Sequence, residues 1–224
     1  MQTITREKFN EALEKLEMDI LVGVYRPRER LIESEIMEKH GITRNAVRNI
    51  FKELQNKGLI RHIPNRGVLV AEMETREAKE LYAMRVLLED YASDLVSRHI
   101  DDSRLAGIAQ ANQAFEQAVA CKNFKDMLRS NIEFHQAIIG GCGNSILVEM
   151  INQLRNRAIV VRHYMWLHPD QVRKSVEEHR ALIAALRNRD AEAFKRMNRA
   201  HILAAYEQYT GERFSDLPGP GKPQ

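Results

Sequence analysis

Cysteine is nearly absent: Cys121 and Cys142 are the two in 224 residues and form no CxxC pair. This excludes a disulfide framework and points to a reducing compartment, the cytoplasm. No secretory h-region stands at the N-terminus, and no run approaches the roughly 18 to 20 apolar residues needed to span a bilayer, so a soluble protein is expected. Aromatic residues are scarce at 6%, while Ala, Leu, Glu, Arg and Lys set the composition, which is that of helices. The 44% apolar content is enough for two modest domains each to bury a core and excludes a disordered or fibrous class. The net charge of +3 is small, yet Arg44 to Arg66 holds six basic residues against Glu53 alone, or +5 in one stretch. Such a stretch is either a solvated helix face or a surface for an anionic partner, and its placement on the helices decides between them.

In the N-terminal third, Phe9, Leu13, Leu16 and Ile20 recur at helical spacing and predict a helix from Glu7 to Leu21. Pro27 interrupts the chain, and a short helix follows over Glu33 to Lys39 with Ile36 and Met37 inward. Gly41 supplies a tight turn, and Thr43 stands where a hydroxyl can cap the next helix. In that third helix Val47, Ile50, Phe51 and Leu54 fall at i, i+3, i+4 and i+7 and define the buried stripe. Arg44, Asn45, Arg48 and Lys52 are left facing outward. Arginine can bridge O6 and N7 of guanine and asparagine can pair bidentately with adenine, so this set suits a major groove, with Lys52 on phosphate. Leu59 to His62 and Val68 to Val70 read as two short strands around Pro64 to Gly67, a wing with Arg66 at its tip.

Ala71 to Arg76 lacks apolar periodicity, which sets the expected boundaries: a winged helix-turn-helix over 1–71, a linker over 72–76, an all-helical domain over 77–210, and a Gly- and Pro-rich disordered tail over 211–224. The fold class is thus mainly α with a small β-wing. Helices are predicted over Thr75–Arg98, Asp101–Cys121, Phe124–Ile139, Ser145–Trp166, Gln171–Arg189 and Ala191–Tyr209, with breaks at Gly140-Gly141 and His168-Pro169. His135, His179 and His201 sit on three of these helices where apolar side chains belong, and Asn131 lies one turn before His135. A single such histidine is ordinarily a hydrogen-bonded core residue. Three on separate helices strain that reading, because each uncompensated buried imidazole lowers stability. Converging neutral imidazoles are good ligands for zinc, with other divalent ions such as nickel or manganese also able to use them.

The stretch from Leu31 to Val70, especially GITRNAVR at 41–48, LQNKGLI at 54–60 and PNRG at 64–67, resembles the winged helix of the GntR family of bacterial regulators. The resemblance implies operator contacts for Ser34, Thr43, Arg44, Asn45, Arg48, Arg66 and Gly67, with Arg44 and Arg48 reading bases. Pro27-Arg28 replaces the usual Pro-Gly, and Thr43-Arg44-Asn45-Ala46 replaces the common Ser-Arg-Thr-Pro, so the operator sequence does not carry over. Thr75 to Tyr209, with RVLLE at 85–89, NIEFH at 131–135, His179 and His201, resembles the FCD ligand-binding domain of the FadR branch, in its metal-binding, VanR-like form. That resemblance implies a metal held by Asn131, His135, His179 and His201, with Asn131 where Asp is commoner. A neutral amide there leaves the centre more positive toward an anionic effector. It also implies an effector contact for Arg85, against which stands a surface ion pair with Glu89 at i+4. Arg155, Arg157 and Arg162 are weaker candidates whose helix could equally present them to solvent.

The expectation is therefore a homodimeric repressor, joined through its helical domains, that leaves a near-palindromic operator when an organic acid completes the metal's coordination shell. Two other readings stay open. A metal-dependent enzyme needs a base beside the metal, and helical geometry turns Glu133 and Glu178 away from it. An architectural DNA binder with a structural metal differs from a sensor in showing no ligand-dependent release.

Overall fold

The computed structural model describes residues 5–161 and 168–214. It divides into two compact units, the first taking in the chain up to Glu74 with a short stretch from Asn156, and the second the rest from Thr75. No helix among the described residues is long and apolar enough to cross a membrane.

The first unit contains α1 (Arg6–Leu21), β1 (Arg30–Leu31), α2 (Glu33–His40), α3 (Arg44–Asn56), β2 (Ile60–Ile63) and β3 (Gly67–Val70). Thr5 and Thr43 cap α1 and α3 by accepting from Lys8 N and Ala46 N. Gly41 ends α2 in the left-handed region at φ 59°, and Ile42 N donates to Met37 O, closing the turn between the two helices. The buried residues of α3 are Ala46, Val47, Ile50, Phe51 and Leu54, and Leu16, Ile20 and Ile36 join them in the core. The strands form one antiparallel sheet in the order β1-β3-β2, with Ile60 opposite Val70 and Ile63 opposite Gly67. At the wing tip Arg66 N donates to Ile63 O, and Asn65 takes the left-handed φ of 63° that asparagine tolerates. Arg28, where the resemblance places glycine, also lies in that region at φ 66° and pairs with Glu72.

The second unit contains α4 (Thr75–His99), α5 (Asp102–Ala120), α6 (Phe124–Ile139), a 3-10 turn (Gly140–Cys142), α7 (Ser145–Arg157, all but its last two residues), α8 (Pro169–Arg187) and α9 (Ala191–Thr210). The predicted helix from Ser145 to Trp166 is interrupted by a turn at Ala158, and its last residues fall outside the described ones, as does most of the predicted tail. Helix α4 packs on α9, α5 on α6 and α8, and α8 on α9. Ala92, Val96, Phe134, Ile138, Ile151, Leu182 and Phe194 fill the common core, and Phe115, Met127 and Val172 form a second cluster. On the outer side of α4, Met84, Leu87 and Tyr91 stand at i, i+3 and i+7 and are 45%, 62% and 55% exposed.

Candidate functional site

In the first unit, Ser34, Thr43, Arg44, Asn45, Arg48, Lys52 and Arg66 are exposed, and Gly67 is half-buried. The buried stripe of α3 turns its remaining positions outward, so Arg44 and Arg48 stand together. Both meet one carboxylate: Arg44 Nε lies 3.4 Å and Arg48 Nε 3.0 Å from Glu33, in the first turn of α2. The sequence reading missed Glu33, because that contact depends on how α2 crosses α3. Exposed ion pairs contribute little to stability, and this one gathers two long side chains around a single carboxylate. At the wing, Gly67 has φ 85°, and a Cβ there would approach Arg30 Nε to 3.4 Å.

In the second unit, His135, His179 and His201 come from α6, α8 and α9 to one place. Each offers a ring nitrogen, and the three nitrogens lie within 4.8 Å of one another, an arrangement that could hold a metal ion. Phe134 stacks on His179 at 4.0 Å between ring centroids, and Phe115 lies at 5.0 Å, so aromatic rings wall one side. Asn131 is buried one turn before His135 on α6.

In two of the rings the partner of one nitrogen defines the other. His201 Nδ1 lies 2.7 Å from Glu178 Oε2; a carboxylate only accepts, so Nδ1 carries a proton, and in the neutral ring Nε2 is the atom with the lone pair. That Nε2 is 3.2 Å from His135 Nε2, a separation at which two lone pairs need a proton or cation between them. His179 Nδ1 lies 3.1 Å from Asn112 Oδ1, while its Nε2 is buried with no hydrogen-bond partner among the described residues. Burial first, and then His201, hold His179 well below the ordinary imidazole range, which keeps it neutral and able to ligate at pH 7. An orphaned, neutral, buried nitrogen beside two others is the donor set a borderline divalent ion prefers.

One expectation is overturned here. Glu178 does not turn away from the cluster: residues 100° apart on α8 both reach the seam with its neighbours, His179 toward the centre and Glu178 toward α9. Glu178 already accepts from His201 and pairs with Lys174 at 3.5 Å, so it orients a ring rather than standing free as a base. Glu133 is exposed, 3.8 Å from Arg129.

Arg85 is paired with Glu89 as one of the two sequence readings had it, but the pair is buried rather than on the surface. Its Nε and Nη2 donate to Glu89 Oε1 at 3.1 and 2.8 Å. Arg155 Nη2 donates to Glu89 Oε2 at 2.9 Å, making a buried arginine–glutamate–arginine triad across α4 and α7. Arg157 is exposed, and Arg162 falls outside the described residues.

Two separately packed units, one presenting arginines outward on a winged helix and one keeping polar groups inside a helical bundle, are the division of labour of a transcription regulator. Residues 8–70 match the gntR family of bacterial regulatory proteins and residues 80–204 match the FCD domain, so the chain belongs to the GntR family of regulators and carries an FCD domain. It is 26% identical over 200 residues to the HTH-type transcriptional regulator McbR of Escherichia coli strain K12, covering 87% of this chain and 90% of McbR. It is 24% identical to the HTH-type transcriptional repressor GlaR of the same strain, covering 84% and 89% of the two chains. Among solved structures, a GntR regulator from Rhodococcus sp. RHA1 shares the fold with a TM-score of 0.67 at 24% identity, over 92% of this chain and 98% of that one. These relatives and this fold are those of transcription regulators, not enzymes.

Proposed function

We propose that the protein is a cytoplasmic, metal-dependent repressor that binds operator DNA as a homodimer and leaves it when a small carboxylate reaches the metal. The observation that carries this reading is the buried His179 Nε2, orphaned within a cluster of three imidazole nitrogens. His135, His179 and His201 hold the ion by three nitrogens and Asn131 adds its amide oxygen. Zinc suits this set best, and nickel or manganese can occupy it. All four donors are neutral, so the ion keeps its charge apart from what Glu178 offsets behind His201, and an anionic ligand is favoured at an open coordination position. Arg85, a buried cation bonded to Glu89 in its triad with Arg155, is assigned to the effector's carboxylate.

Operator recognition rests on α3, with Arg44, Asn45 and Arg48 on base edges. Ser34, Thr43, Lys52, Arg66 and Gly67 lie against the backbone and the adjacent groove. Arg48→Ala is expected to weaken specific binding by about 1 to 3 kcal/mol, roughly five- to 150-fold, while leaving binding to unrelated DNA nearly unchanged. A gel-shift titration against both duplexes measures it, and equal losses on the two would make Arg48 a phosphate contact instead.

A near-palindromic site needs two copies of α3 related by a twofold axis, and the outer face of α4 is apolar enough to supply the contact. Met84, Leu87 and Tyr91 are covered by the same residues of a second copy. Leu87→Glu is expected to yield a folded monomer by light scattering, with operator affinity reduced by about a hundredfold or more through loss of bivalence.

The test of the whole reading is elemental analysis of the purified protein followed by operator titrations with a panel of small mono- and dicarboxylates. One acid should weaken DNA binding by about five- to 150-fold, ordinary allosteric coupling, and only in the metal-loaded protein. A bound metal with no acid that shifts the affinity would favour an architectural DNA binder with a structural ion.

A further inference from the structure

From His179 Nδ1 a chain of polar groups runs out to solvent. Arg180 Nε and Nη2 donate to the two oxygens of Glu116 at 2.8 and 2.6 Å. Asn112 Nδ2 donates to Glu116 Oε1 at 2.7 Å, and Asn112 Oδ1 faces His179 Nδ1 at 3.1 Å. Asn112 is 4% exposed, whereas Arg180 is open to solvent at the edge of a groove also lined by Gln113, Ile183 and Arg187.

We propose that Asn112 is a positioning residue that holds His179 in the tautomer whose bare Nε2 faces the histidine cluster, and that Glu116 and Arg180 hold Asn112 in turn. Donor and acceptor chemistry forces each link. A carboxylate clamped by a guanidinium only accepts, so the NH2 end of the Asn112 amide must turn toward Glu116. Reversing the amide would set its oxygen against the carboxylate oxygen. The Asn112 oxygen therefore faces His179 and also only accepts, so His179 Nδ1 must carry the ring's single proton. What remains is Nε2 with its lone pair, the same atom that is buried without a hydrogen-bond partner among the described residues. The two backed rings are thereby tuned differently, His201 by the carboxylate of Glu178 and His179 by a neutral amide. An ion pair between exposed Arg180 and half-buried Glu116 thus governs the orientation of a buried ring one residue from Arg180 on α8.

The consequence for metal affinity rests on the metal-binding reading above, whereas the tautomer does not, and the experiment separates them. In metal-free protein labelled with 15N-histidine, long-range 1H–15N spectra should show His179 protonated at Nδ1 and bare at Nε2, assigned by loss of the signal in His179→Gln. Zinc competition against a chromophoric chelator should then show Asn112→Leu binding about ten- to a hundredfold more weakly. Asn112→Asp made together with Glu116→Gln, whose NH2 can donate to the new carboxylate, keeps the acceptor toward His179 and should bind at or above wild-type affinity. A space-filling role for Asn112 predicts the reverse order, with leucine tolerated and a buried aspartate harmful. If Asn112→Leu does not fold, Glu116→Gln keeps the test: its amide can present either end to Asn112, so it should lower zinc affinity less than loss of the acceptor but measurably. Wild-type affinity in Asn112→Leu or Glu116→Gln, or a proton on His179 Nε2, overturns the proposal. A wild-type protein that takes up no zinc, yet shows the Nδ1–H tautomer, leaves the lock standing and sinks the metal reading.

Discussion

Glu89→Gln is expected to destabilise the helical unit by about 3 to 5 kcal/mol, because it removes the negative charge that sits between two buried guanidinium groups. Arg85 and Arg155 are each 7% exposed and Glu89 1%, so water cannot take over the lost partner. The amide of the variant could still accept one hydrogen bond, but it would leave two cations facing each other across an uncharged side chain. For a chain of this size the loss corresponds to a fall in melting temperature of roughly 10 °C, read by calorimetry or circular dichroism. Replacing all three members together, as Arg85→Met, Glu89→Leu and Arg155→Met, should be much milder than the single change, since a hydrophobic triad carries no desolvation penalty. A single variant as stable as the wild type would show that the arginines escape to solvent. The same residue sets an acid limb. Desolvation pushes the Glu89 carboxyl up, but Arg155 and Arg85 more than reverse it and hold the group below its ordinary value. A carboxyl depressed in the folded state contributes stability that is complete above its unfolded value of about 4.3 and is lost as pH falls through the folded value. Wild-type stability should therefore decline below about pH 4.3, and Glu89→Gln should flatten that decline.

What the sequence made legible was whatever depends on one helix at a time. The stripe of α3 could be read residue by residue, because Val47, Ile50, Phe51 and Leu54 are all buried as their spacing requires. The three histidines stood out as polar residues in apolar stripes, and they do converge. What depends on the register between elements was hidden. Strand β1 is two residues long and pairs with β3, so no alternation or turn signal marks it. Glu33 reaches Arg44 and Arg48 only through the crossing of α2 and α3, and Asn112 finds His179 only because α5 lies against α8. Arg155 reads from sequence as a weaker effector candidate or a residue of a solvated face, yet its carboxylate partner lies 66 positions earlier in the chain. The break at Ala158 has no glycine or proline to announce it.

His179→Leu should abolish stoichiometric metal binding while leaving the helical unit folded, with an affinity loss exceeding the roughly ten- to hundredfold that changes behind a ligand cause. Leucine suits the aromatic walls of Phe115 and Phe134, and it removes a buried nitrogen that has no hydrogen-bond partner among the described residues. Its penalty is the Asn112 oxygen, which loses its donor and costs about 1 to 3 kcal/mol. Because these effects oppose each other, metal-free His179→Leu should melt near the metal-free wild type. The two proteins should separate only when zinc is added, since an ion that binds the folded state alone raises the melting temperature of the protein that can hold it. Elemental analysis and zinc-dependent melting measure both halves. A variant that retains one equivalent of metal would move the site away from the histidine cluster. A wild type whose melting temperature ignores zinc would leave the three imidazoles as a polar core whose role is packing.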